Sequence, residues 1–148
     1  MNAVAASNGL PLGFWNDEFV LGYMFGATGI FARIATDGSM SGPEIGETAI
    51  QVFSELSGSD GLAVAKRVGL LMQGQNADFM KGVSAADRII SVAYGLKDHE
   101  ADPDVKLARS TVANANFPDF GGESTLDAKA SSVLQMALFL DVVRERLG

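Results

Sequence analysis

The chain has 148 residues, 11 Lys+Arg against 18 Asp+Glu, a formal net charge of −7 and one histidine. At 47% hydrophobic and 20% charged it can build an ordinary core, which excludes global disorder. With no cysteine it has no disulfide, zinc-thiolate site or cysteine nucleophile, and its dispersed basic residues lack the footprint of a nucleic-acid binder.

The first basic residue is Arg33, so no charged region opens a secretory signal. Residues 1–14 read as a loosely packed leading segment, and Phe14, Trp15 and Phe19 as core or staple packing rather than a partner contact. The uncharged run Phe19–Ala32 has 14 residues and carries Gly22, Gly26 and Gly29. A membrane span needs about 20, so the run predicts a buried helix in a cytoplasmic chain without a transmembrane segment. The Gly22/Gly26 spacing suits a close helix crossing.

Apolar residues recur at helical spacing almost throughout, which predicts an all-α, bundle-like single domain, 1–148, of six or seven helices. The first helix is expected from Asn16 to about Thr36. Ser41-Gly-Pro-Glu44 is a capping box for the second, whose inner face is Ile45, Ala49, Val52, Phe53 and Leu56. A third covers 59–72, and Gln73-Gly-Gln-Asn76 breaks it. A short helix to Lys81 is expected to give way, at Ser84-Ala-Ala-Asp87, to another that reaches Leu96. Asp102-Pro103 is an N-cap followed by an N1 proline, opening a helix to Asn114. A loop at 114–123 carries Phe117 and Phe120, and Ser124-Thr-Leu-Asp127 opens a last helix to about Arg146. That helix is apolar nearly all round, which predicts a central position or cover by a partner in an oligomer.

One acidic loop pattern occurs twice. Near Asp37 and again near Asp98 an apolar helix ends in Asp, an N-cap follows four residues on (Ser41, Asp102), and the next helix opens with a carboxylate (Glu44, Asp104). Doubled helix–loop–helix units of this kind predict two halves packed about a pseudo-twofold axis. If the halves face each other, Asp37, Glu44, Asp98, Asp102 and Asp104 gather as oxygen donors for Ca²⁺ or Mg²⁺. The pattern is not an EF-hand, because Thr48 holds the twelfth position where a bidentate Glu is needed. Helix capping alone accounts for the same acids. His99, inside Asp98-His99-Glu100, reads as a solvated side chain without a second histidine at ligand spacing. No nucleophile elbow or phosphate-binding glycine motif is present, so no enzyme activity is expected.

Ala32-Arg-Ile-Ala-Thr-Asp37-Gly-Ser-Met-Ser41-Gly-Pro-Glu44-Ile resembles the signature of the tellurite-resistance protein B (TerB-like) family. In that family a helix ends in an Ala-rich stretch, followed by Asp-Gly, an apolar residue, Ser, and a Glu opening the next helix. Leu96-Lys-Asp98-His-Glu-Ala-Asp102-Pro-Asp104-Val resembles the second, symmetry-related loop, with His99 in place of Gly and Val105 in place of Glu. The resemblance implies an all-helical, non-enzymatic binding or scaffolding domain in a stress-response context. It also implies a divalent cation at the acidic loops and protein partners, including peripheral membrane complexes.

Overall fold

The fold is that of a computed structural model, which describes residues 13–57, 61–96, 99–115 and 125–148. It is all-helical, as the periodicity predicts. A 3₁₀ turn at Phe14–Asn16 precedes α1 (Glu18–Ala35), α2 (Gly42–Ser57), α3 (Gly61–Gln73), α4 (Ala77–Ala93) and α5 (Pro103–Asn114). The chain ends in a rod of α6 (Leu126–Gln135), a π-helical turn (Met136–Leu140) and α7 (Asp141–Leu147). The loop with Phe117 and Phe120 lies outside the described residues. Among the described residues no helix is long and apolar enough to cross a membrane.

Most helix starts follow the capping chemistry. Asp17, one residue later than expected, caps α1 by accepting from the Val20 N–H at 3.1 Å. Ser41 and Glu44 form the capping box, the Ser41 N–H donating to Glu44 Oε2 at 2.7 Å. Asn76 caps α4, Asp102 caps α5 ahead of Pro103, and Thr125 caps α6.

Ser84 is the exception. No helix starts there, because α4 runs unbroken from Ala77 to Ala93. A serine followed three residues on by an acid is a start signal only where the backbone N–H groups lack partners. Here the preceding turn already supplies them, and Gly82 and Ala86 are committed to a crossing with α1.

That crossing organises the molecule. A Cβ on Gly22 would lie 1.9 Å from the Phe79 carbonyl oxygen, and one on Gly82 would lie 2.0 Å from that of Phe19. Each glycine stands three residues after the phenylalanine whose carbonyl the other touches, so the contact is reciprocal and the helices exchange under a twofold rotation. One apolar cluster extends from Phe14, Trp15 and Phe19 through Phe53, Phe79, Ile89 and Val105 to Phe139 and Val143. Phe14 and Trp15 are thus core, as expected.

The rod buries only one face. Its buried residues Ala130, Leu134, Phe139 and Val143 step by four, except for a step of five from Leu134 to Phe139 that spans the π turn, and Ser131 is buried beside Ala130. One extra residue in that turn keeps Phe139 on the inner face, where its ring stacks 3.9 Å from Tyr23. Burial there raises the pKa of the Tyr23 phenol. Leu126, Met136 and Leu140 remain exposed, so the helix is not central all round.

Candidate functional site

The acidic loops come first, since the sequence singles them out. α1 ends with Thr36 at its C-cap and Asp37 in the left-handed region at φ 52°, while the Gly38 N–H donates to the Arg33 carbonyl at 2.9 Å. This is a Schellman-type stop, so Asp37 occupies a position whose demand is conformational. The α4 terminus repeats it with Gly95 at φ 66° and the Leu96 N–H donating to the Ser91 carbonyl at 2.8 Å. The stereochemical counterpart of Asp37 is therefore Gly95. Asp98 lies outside the described residues.

The other acids have partners within the fold. Glu44 closes the capping box. Asp102 Oδ1 accepts from the Asp104 N–H at 2.8 Å, and its Oδ2 receives Arg88 Nε at 3.0 Å. Arg88 Nη1 reaches Asp104 Oδ2 at 2.8 Å, so one guanidinium joins both carboxylates. His99 Nε2 is 2.7 Å from Asp87 Oδ2, a fixed contact where a solvated side chain was expected. Near the first loop, Thr36, Ser39, Met40, Glu44, Glu47, Thr48 and Gln51 line a polar depression of about 450 Å³. Among the described residues no group of three or more His, Asp or Glu is placed to hold a metal ion.

These contacts set the expected loss at Asp102. Asp102→Ala removes both the cap and the Arg88 ion pair and lowers stability by about 1–2 kcal/mol. Asp102→Asn keeps an acceptor for the cap and loses about half as much, about 0.5–1 kcal/mol. Thermal melts followed by Trp15, the chain's single tryptophan, measure both. Equal losses would mean that the carboxylate charge, and not the cap, carries the effect.

A second feature was not anticipated from the sequence. Between α1, α2 and α4 lies an apolar cleft of about 310 Å³, at the lower end of the range typical of ligand sites. Phe25, Ile30, Ile45, Met80 and Val83 form its walls, Gly26 and Gly29 its floor, and Arg33, Ser84 and Asp87 its polar edge. The floor exists because α1 has glycine where a side chain would fill the space. A Cβ on Gly29 would meet only Ile45 Cγ2, at 3.8 Å. Asp87 is held by His99, whereas the Arg33 guanidinium makes no ion pair or hydrogen bond among the described residues. The exposed Phe31 and Tyr94 meet edge-on, 6.2 Å apart, near the C-terminal ends of α1 and α4. Chemically the cleft offers an apolar trough whose polar edge carries one unpaired cation, Arg33, and one carboxylate, Asp87, in contact with His99. Compared with known proteins, the chain matches no family model, no curated protein and no solved structure.

Proposed function

We propose that this chain is a non-catalytic helical recognition module that takes a protein partner in the α1–α2–α4 cleft. What supports the reading is the contrast between an open apolar trough edged by an unpaired Arg33 and acidic loops whose described carboxylates mostly already cap helices or pair with Arg88. It keeps the binding character that the TerB-like resemblance implies and moves the binding surface from the acidic loops to the cleft. The cytoplasmic setting expected from the sequence belongs to the same proposal.

Two measurements test it. The dye 1-anilinonaphthalene-8-sulfonate combines an aromatic body with an anionic group, matching the trough and Arg33. Its fluorescence should rise with the folded chain and fall at least fivefold with Gly29→Leu, which fills the floor. In parallel, millimolar CaCl₂ or MgCl₂ should move the melting temperature by less than about 1 °C, because only a ligand that binds the native state stabilises it. A shift of several degrees that Asp37→Asn removes would restore the acidic-loop cation site.

A further inference from the structure

The reciprocal crossing gives α1 and α4 a common register. Adding 60 to an α1 number gives its counterpart on α4, so that Phe19, Gly22 and Gly26 match Phe79, Gly82 and Ala86. Two crossed helices have a groove on each side, and the twofold rotation maps one groove onto the other. One is filled. The rod lies in it, with Phe139 stacked on Tyr23 at 3.9 Å and Ser131 Oγ donating to the Ile89 carbonyl at 2.9 Å. The counterparts of Tyr23 and Ile89 are Val83 and Gly29, and both line the open cleft. Val20 is fully buried on the filled side, while its counterpart Met80 is 44% exposed.

The reason for the difference is the length of the third helix of each half. Arg67 of α3 pairs with Glu18 at 3.3 Å, and Arg146 of the rod pairs with Asp78, the counterpart of Glu18, at 3.0 Å. The two helices are thus anchored alike. But α3 begins six residues before Arg67, whereas the groove-filling Phe139 and Ser131 lie seven and fifteen residues before Arg146. Among the described residues of the first half, the part of the rod that fills its groove has no equivalent.

We propose that the cleft is a helix-docking site, the open counterpart of the groove the rod occupies, and that it takes an amphipathic helix of a partner protein. This rests on reading the chain as a recognition module. The rod runs antiparallel to α4, with Asp127 beside Gly95 at one end and Arg146 on Asp78 at the other. A helix docked in the same sense places its N-terminal turn near the C-terminal end of α1, where Arg33 sits. A first-turn carboxylate is favoured there twice, by its own helix dipole and by Arg33. Because Gly29 replaces Ile89, the floor accepts an aromatic or long aliphatic side chain. A second copy is disfavoured by the net charge of −7 on each chain.

The test uses a synthetic peptide covering residues 126–147, whose Phe139 face already seats on the counterpart groove and which carries Asp127 in its first turn. Titrated into the ¹⁵N-labelled full chain, it should shift the amides of Gly29, Arg33, Met80 and Val83. Gly29→Leu and Arg33→Glu, each with a near-wild-type melting temperature, should weaken binding at least tenfold. No shift at millimolar peptide, or shifts at Tyr23 and Ile89 showing exchange with the rod, overturns the proposal. So does self-association in sedimentation that Gly29→Leu abolishes, since the occupant is then a second copy. If the dye binds the cleft and the peptide does not, the helix assignment fails while the module reading stands; if neither binds, both fail.

Discussion

Gly22→Ala and Gly82→Ala should each destabilise the chain by about 3 kcal/mol, at the upper end of what overpacking a core costs. The added methyl would sit 1.9 Å from the Phe79 carbonyl oxygen in the first case and 2.0 Å from that of Phe19 in the second. The obstacle is backbone inside a helix, so relief requires α1 and α4 to move apart, which loosens the apolar cluster around Phe19 and Phe79. For a chain of this size the loss corresponds to a fall in melting temperature of about 6–12 °C. Gly69→Ala is the control. Nothing lies within 4 Å of its added Cβ, and it is inside α3, so alanine should be neutral or stabilising by up to about 1 kcal/mol. If all three variants melt alike, the crossing does not depend on the glycines. The double variant provides a further check. Once one methyl has forced the helices apart, the second costs less, so Gly22→Ala with Gly82→Ala should fall short of additivity.

The repeat was visible in the sequence at its loops and better hidden at its centre. The doubled acidic pattern suggested two halves, and the capping residues Asp102, Pro103, Ser41 and Glu44 form as expected because caps depend on local chemistry alone. Asn16-Asp-Glu-Phe-Val-Leu-Gly22 and Asn76-Ala-Asp-Phe-Met-Lys-Gly82 carry the stronger signal, a Phe-x-x-Gly pair at a constant separation. It falls inside helices, where glycine alone does not say which neighbour approaches. Aligning loops instead set Asp37 against Asp98, whereas the residues that end the two helices in the left-handed region are Asp37 and Gly95, α4 stopping two residues earlier than α1 in the common register. The cleft was not legible at all. It lies where α3, as described over Gly61–Gln73, is shorter than the rod, and turns a helix does not have leave no residues to read. The π turn hid the rod's burial for a related reason, since a five-residue step inside a four-residue pattern makes one buried face look like apolar residues all round.

Arg146 should be the most costly single cation to remove, at about 2 kcal/mol for Arg146→Met, between the values typical of exposed and buried ion pairs. Its Nε is 2.6 Å from Asp17 Oδ2, its Nη1 is 3.0 Å from Asp78 Oδ2, and its Nη2 is 3.6 Å from Glu18 Oε2. Hydrogen bonds to Asp17 and then Asp78 raise the guanidinium pKa above its ordinary value, so it stays charged at every pH at which the chain is folded. One residue from the end of the last helix thereby ties the N-termini of α1 and α4 together. Asp17 makes the loss large, because its side chain is 9% exposed and also caps α1. Without Arg146 a mostly buried carboxylate keeps its cap but loses its counter-ion. Methionine preserves the apolar stem, so the difference reports charge and hydrogen bonds rather than packing. Arg67→Met, which removes only contacts with Glu18 and Asn16 at 3.3–3.4 Å, should cost about 0.5 kcal/mol. A double-mutant cycle between Arg146→Met and Asp78→Asn should return a coupling of about 1 kcal/mol, shrinking as NaCl rises toward 1 M. Equal losses at Arg67 and Arg146, or no coupling to Asp78, would mean that the rod is held by its apolar face alone. Loss of the coupling should also loosen the end of the rod first, exposing Val143 before Leu134 in hydrogen exchange, because Arg146 fixes that end against both crossed helices.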